Sequence, residues 1–284
     1  QFLGRGENGR DAFFIVLKGA EVLFARKLVS ERYEYFYKRH PEEKLESQRI
    51  PVNVNISDFI DEFEAFFCIG NEYTMQSYKK FGKPMFRIYT ATSPEIKTDM
   101  SFDKKDPKKF LYFGGSGNIE KGLDLAIEAA SLLPEIELYI GAPSGEKDFN
   151  RIYQKTIEAS PNIHFLGFIK VGGKIFHEIT GACGFLLFPT GQGEGTATSI
   201  TTCMRRGMIP VVTKESGVDI RDFGYEISDI RVESIRRKMK ELSLMSVEEL
   251  RKRASKAQKD SELYTEAGFS KSFGEALTAV LERK

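Results

Sequence analysis

From residue 110 onward the chain alternates short apolar runs with amphipathic stretches, and this alternation constrains the fold of its 284 residues more than any other feature. Residues 110–113, 136–140, 163–166, 185–188 and 209–213 have the length and apolar content of buried strands. Helical patterns lie between them: 122–133, a stretch carrying Phe149, Ile152, Tyr153 and Ile157, then 175–179 and 198–206. Pro134 ends the first helix and Gly207 stops the last. Strands and helices at this spacing predict an α/β fold with a doubly wound, Rossmann-like parallel sheet. Such sheets bind ligands beyond the carboxyl ends of their strands, which singles out the loops after Phe113, Ile140, Leu166 and Phe188.

A shorter α/β pattern precedes this one. A strand is predicted at 13–17, a helix at 20–39 and a buried strand at 65–69. After Gly70, Asn71 is placed to cap a helix reaching about residue 80, and 85–89 reads as a further strand. The chain opens on Gln1 and a Gly-rich polar segment, 4–9, so the natural N-terminus is expected to lie upstream. Four segments follow from this reading: a partial N-terminal, acceptor-side Rossmann-like domain at 1–94, a linker at 95–108, a ligand-binding domain at 109–265, and a C-terminal helix at 266–284 placed to pack back on the first domain.

Charge and cysteine usage narrow the function classes. The 42 basic and 41 acidic residues nearly cancel, so there is no basic footprint for nucleic acid. No run approaches the ~20 apolar residues of a membrane span, and no signal peptide is visible. Cys68, Cys183 and Cys203 stand apart in apolar surroundings with no Cys-x-x-Cys spacing, which fits buried free thiols in a reducing cytoplasm and gives no zinc site. His40, His164 and His177 are isolated as well, and no metal is expected. The Arg- and Lys-rich helices of 231–256 carry interleaved Glu. They read as a solvated face, or as a peripheral contact with the inner face of an anionic membrane.

Two loops concentrate chemistry. The first runs Gly114-Gly115-Ser116-Gly117-Asn118-Ile119-Glu120-Lys121-Gly122. Its glycines allow close backbone approach, the next helix offers free N–H groups, and Lys121 adds a positive charge, a set suited to a pyrophosphate. A plain tight turn with a solvated lysine accounts for the same residues. Glu120 falls where a dinucleotide fingerprint needs its third glycine, and no Gly-Lys-Ser/Thr follows as a P-loop requires. The second loop, from Pro189 to Thr198, sets Glu194 among Gly191, Gly193 and Gly195 just before a helix. Glu194 is either a helix-start acid favoured by the dipole or a carboxylate that grips sugar hydroxyls while N–H groups from Gly195 to Thr198 face a phosphate. Gly167 could border a base, Phe168 reads more simply as core, and Ser216-Gly217-Val218-Asp219 reads as a structural polar turn.

Taken in order, these segments resemble the C-terminal domain of GT-B glycosyltransferases of the family 4, or group 1, class. The similarity lies in Lys121-Gly122 at a helix start, Tyr139-Ile140-Gly141-Ala142-Pro143, and Asn162-Ile163-His164-Phe165-Leu166-Gly167-Phe168. It continues in Pro189 with Glu194-Gly195, then Met204, Gly207 and Pro210-Val211-Val212. It covers 109–283, and the segments 110–124 and 202–219 also resemble a polysaccharide-biosynthesis subgroup. The resemblance implies metal-independent, retaining transfer from a nucleotide-diphosphate sugar to a saccharide or lipid-linked acceptor, with no cofactor. It implies that Lys121, Gly115, Ser116, Gly117, Gly195, Thr196 and Ala197 surround the diphosphate and that Glu194 holds the sugar. Gly167 and Phe168 would then border the base and Thr202 would face the ribose. No Asp-x-Asp motif is present. Two positions depart from the family: Ser116 stands where it has an arginine, and Thr202 where it has a second carboxylate. These departures also admit a weakened homologue acting as a sugar-nucleotide-binding or partner subunit. A nucleotide-sugar epimerase or NAD-dependent oxidoreductase is the remaining alternative, disfavoured by the imperfect fingerprint.

Overall fold

The computed structural model describes residues 2–5, 11–18, 21–46, 48–49, 56–58, 60–92 and 96–283. Its strands form two sheets. The smaller has the order β1 (Phe2–Arg5), β2 (Asp11–Lys18), β3 (Ala65–Ile69), β4 (Met85–Ile88), with β1 antiparallel to β2 and the other pairs parallel. Helix α1 (Val22–Arg39) follows β2, and α2 (Glu72–Gln76) follows β3. The Asn71 carboxamide accepts the Thr74 N–H and so caps α2, which is shorter than its pattern suggests because the chain tightens into a 3₁₀ turn at Lys79–Phe81. Residues 6–10 of the opening, residues 19–20 at the expected start of α1, and 93–95 at the expected junction of first domain and linker lie outside the described residues.

The larger sheet is built from β5 (Asp106–Phe113), β6 (Glu137–Gly141), β7 (Ile163–Phe165), β8 (Cys183–Phe188), β9 (Ile209–Val212) and β10 (Tyr225–Glu226). Helices α3 (Leu123–Ser131), α4 (Lys147–Glu158), α5 (Lys174–Ala182) and α6 (Thr198–Met204) make the crossovers, and α7 (Val232–Ser243), α8 (Val247–Asp260) and α9 (Glu266–Leu281) complete the chain. All its strands are parallel, in the order β10-β9-β8-β5-β6-β7. Every residue of β8 is buried, as a central strand covered on both faces requires. β5 begins at Asp106, inside the stretch expected to be linker, because Asp106 already pairs with Cys183. Gly207 stops the α6 turn with a left-handed φ of 64°, over the Phe102 ring, which a Cβ there would meet at 2.3 Å. Ser246 and Thr265 cap α8 and α9 through their side chains.

Two helices cross between the sheets. α9 lays Ala276 and Val280 on Ala65, Phe67 and Ile88 of the smaller sheet. α1 does the reverse: it leaves the smaller sheet and buries Val29, Tyr33 and Phe36 in the core of the larger unit, alongside Ile119 and Leu123. All three cysteines are buried and free, and burial pushes the Cys68 and Cys183 thiols up to about 12, so both are unreactive near neutral pH. On α7 and α8, Arg236, Lys238 and Arg253 pair with Glu233, Glu241 and Glu249 of their own helices. Among the described residues no helix is long and apolar enough to cross a membrane.

Candidate functional site

The strand order of the larger sheet reverses between β5 and β8: the chain winds outward through β6 and β7, then returns to the other side of β5. Loops leaving adjacent strands at such a reversal diverge, and the opening between them is the standard ligand crevice of a doubly wound sheet. The loop after β5 carries Lys121 and the loop after β8 carries Glu194. Their side chains converge, with Lys121 Nζ 3.7 Å from Glu194 Oε1 and exposures of 20% and 18%. Glu194 Oε1 has no hydrogen-bond partner among the described residues, so the lysine charge is its main compensation.

Backbone contacts fix this meeting. Gly122 has a φ of 76° and abuts β8 so closely that a Cβ would stand 2.2 Å from the Pro189 carbonyl oxygen. The Gly191 N–H donates to the Glu120 carbonyl at 2.8 Å, so the two loops are joined one residue before Lys121. The Glu194 N–H donates to the carbonyls of Gln192 and Glu215, and the Ala197 N–H to that of Ser216. Beneath, the Tyr112 and Phe188 rings stack at 5.6 Å as a floor. Tyr112 is fully buried, its hydroxyl lacks a partner among the described residues, and burial raises its pKa.

The turn at Ser216-Gly217, expected to be merely structural, underlies the acidic loop. Gly217 has a φ of 70°, and a Cβ there would lie 1.3 Å from the Gly195 carbonyl oxygen. From the smaller sheet, the Asn71 side-chain amide donates to the Lys214 carbonyl at 2.9 Å, and Thr74 Oγ1 lies 3.5 Å from the Glu194 carbonyl. Neither contact has a local signal, because each joins residues more than a hundred positions apart.

α1 reaches the same loops from the other side. Tyr33 Oη donates to Glu120 at 2.8 Å, and Arg32 and Arg39 both bond Asp124 on the first turn of α3. Residues on both sides of Lys121 are thus held by one helix. Burial raises the pKa of the Glu120 carboxyl, partly offset by its hydrogen bonds. Arg32 is buried with only 2% of its side chain exposed, its stem lies against Gly191, and its Nε and Nη1 lack partners among the described residues.

The remaining candidates divide. Gly115 and Ser116 are exposed at the tip of the first loop. The N–H groups of Gly117 and Asn118 are not open: they donate to the Glu146 carboxylate at 2.5 and 3.1 Å. The Ala197 N–H, expected to face a phosphate, is likewise taken, because the loop folds onto the 213–217 turn. Gly195 and Thr196 lie buried beside it, and Thr202 is 6% exposed on α6. Gly167 and Phe168 sit at the end of β7, with β6 between them and β5. Phe168 is not core: the left-handed turn at Gly167 leaves its ring 80% exposed, and Ile169 fills the apolar position against Gly141 instead. Among the described residues no group of three or more His, Cys, Asp or Glu is placed to hold a metal.

The sequence matches no family model and no curated protein. Solved structures are similar. A variant of S. aureus TarM crystallised with fondaparinux, α-GlcNAc-glycerol and UDP superposes at a TM-score of 0.62 and 13% identity, over 95% of this chain and 52% of that one. The pneumococcal O-GlcNAc transferase GtfA with UDP and GlcNAc gives 0.60 and 14%, over 96% and 53%. HepE of Anabaena with UDP and glucose gives 0.62 and 15%, over 95% and 72%. The chain spans about half the length of TarM and GtfA. At these identities the likeness is one of architecture, and the chain has the GT-B fold of two Rossmann-like units.

Proposed function

We propose that this GT-B chain is the donor-binding half, with part of the acceptor half, of a retaining glycosyltransferase that takes its sugar from a nucleotide diphosphate and acts in polysaccharide or glycoconjugate assembly. The observation that carries the reading is the convergence of Lys121 and Glu194 at the reversal between β5 and β8, 3.7 Å apart with no other partner on Glu194 Oε1 among the described residues. A cation and an acid held this close by rigid loops form a pair that a ligand can part. In the donor complex Lys121 turns to the diphosphate and Glu194 to the sugar hydroxyls. Cleavage of the anomeric C–O bond leaves negative charge on the departing diphosphate, and a fixed ammonium there stabilises the transition state. Gly195 and Thr196 border the same anion, Thr202 faces the ribose, and the exposed Phe168 ring offers a stacking surface for the base. No metal or cofactor is assigned a part. The retaining outcome and the assembly role rest on the family resemblance. Uridine diphosphate is the first nucleotide to test, because TarM, GtfA and HepE were crystallised with it.

A thermal-shift screen against UDP-, GDP- and ADP-sugars identifies the donor, since a ligand bound only by the native state raises the melting temperature. Calorimetry on Lys121→Ala and Glu194→Ala then tests the site. We expect each to weaken donor binding at least about tenfold, or ~1.4 kcal/mol. Unchanged affinity in both variants would sink the assignment.

A second reading, a subunit that binds the nucleotide sugar without transferring it, is favoured by Ser116 and Thr202, which remove a cation and a carboxylate from the family pattern. An assay for sugar transfer from the identified donor separates the two.

A further inference from the structure

The loop that should cradle the donor's phosphates already holds an anion, and the anion belongs to the chain. Both oxygens of the Glu146 carboxylate are engaged, Oε1 by the Gly117 N–H at 2.5 Å and Oε2 by the Asn118 N–H at 3.1 Å. This is the bidentate arrangement that successive backbone amides offer to a phosphate. Gly117 has a φ of 98°, and a Cβ there would stand 3.5 Å from Glu120 Oε2 and 3.7 Å from Lys121 Cε, so a carboxylate and a cation both border the amides. The nearest cation to the carboxylate itself is Arg49, with Nη2 3.9 Å from Oε1.

Beyond these two bonds and the Arg49 contact, nothing among the described residues holds the Glu146 carboxylate. Glu146 stands at the N-cap of α4 without making a side-chain cap, and a quarter of its side chain is exposed. Gly145, just before it, lies in open space. Beside it is a cavity of about 320 Å³ whose lining sets the cations Arg49 and Lys147 among Glu46, Glu120 and Asp148, large enough to receive the displaced side chain.

We propose that Glu146 is a built-in competitor for the donor diphosphate: its carboxylate closes the Gly117 and Asn118 amides in the free protein, and a nucleotide diphosphate binds by displacing it toward Arg49. Glu146 thereby sets donor affinity and excludes weaker or singly charged anions, which cannot repay the loss of two charge-assisted hydrogen bonds. This inference rests on the donor-site reading above. A brace and a competitor predict opposite results. Removing a brace loosens the loop and weakens anion binding, whereas removing a competitor tightens it.

Inorganic pyrophosphate is the probe, titrated by calorimetry into wild type, Glu146→Gln, Glu146→Ala and Lys121→Ala. We expect the two Glu146 variants to bind it at least about fivefold more tightly and Lys121→Ala to bind it more weakly. In wild type, the backbone amide resonances of Gly117 and Asn118 should move during the titration. Glu146→Gln keeps the side-chain size and one acceptor, so it carries the test if Glu146→Ala melts early. Equal or weaker binding by a native-like Glu146→Gln, with Lys121 dependence intact, overturns the competitor role alone. Static Gly117 and Asn118 amides at saturating pyrophosphate do the same. Pyrophosphate binding indifferent to Lys121 removes the donor site itself, and the competitor role with it.

Discussion

A methyl group at residue 217 has nowhere to go. It would lie 1.3 Å from the Gly195 carbonyl oxygen, and the φ of 70° is one that an L side chain adopts only with strain. Relief requires moving the loop that carries Glu194. Gly217→Ala should therefore cost at least about 2 kcal/mol, seen as a fall in melting temperature of roughly 3 °C or more. It should weaken donor binding as well, although residue 217 needs no contact with the ligand. Gly115→Ala is the control: it has open space around it and should leave the melting temperature within about 1 °C. Melting curves for the two variants check the contrast, and equal stability would mean that the loop does not rest on the turn. In the sequence both positions are glycines in polar turns. Their difference lies in what stands opposite, Gly195 in one case and solvent in the other, and a carbonyl more than twenty residues away leaves no local mark.

At the scale of elements, α1 is the piece that sequence periodicity places and cannot dock. Its pattern forecasts a helix ending at Arg39, and the helix ends there. Nothing in it says that Arg32 and Arg39 will enclose Asp124, or that Tyr33 will bond Glu120. By contrast, the alternation of the larger sheet is legible from β5 to β9, because strands buried on both faces are nearly all apolar and their helices are bounded by Gly and Pro. β10 leaves no signal, since two residues carry no period. Lys121 and Glu194 stood out because each is a lone charge among glycines at a strand end. Glu146 did not, because it reads as an ordinary helix-start acid. The α1 contact has a measurable consequence. Arg32→Met leaves the fully buried Asp124 with Arg39 as its remaining cation, so it should destabilise by roughly 2–4 kcal/mol. Arg32→Met combined with Asp124→Leu should cost clearly less than the sum of the single changes, because removing both charges leaves neither stranded. Urea denaturation of the four proteins in a double-mutant cycle measures that coupling. Strict additivity would show that the Arg32–Asp124 pair does not couple α1 to α3.

For the whole molecule, the pH dependence of stability reports on titratable groups buried in the cores of both units. Lys105, on the approach to β5, donates from Nζ to the Thr180 and Cys183 carbonyls at 2.8 and 3.0 Å in a nearly solvent-free site. Burial, with the nearby Arg206 acting in the same direction and Cys183 opposing it, pushes the Lys105 ammonium down to about 7. A base with a lowered native pKa is protonated in the unfolded chain over a range where the native state has released the proton. Stability contributed by this group therefore rises with pH from about 7 towards the ordinary lysine value, with a slope of at most about 1.4 kcal/mol per unit. The buried thiols and tyrosines act oppositely. Burial holds Cys68, Cys183 and Tyr112 protonated in the native state, so from about pH 8, where unfolded thiols begin to ionise, the unfolded chain releases more protons and this contribution falls. The two slopes meet in a maximum near pH 8 to 9, above the usual optimum between about 5 and 8. Urea titrations at pH 7.0 and 8.5 should show wild type more stable at the higher pH. Lys105→Met, which fills the same space without a proton to release, should show no such rise. If the wild-type difference is absent or persists unchanged in Lys105→Met, the ammonium is not the group responsible, and its two carbonyl partners hold it charged across the range.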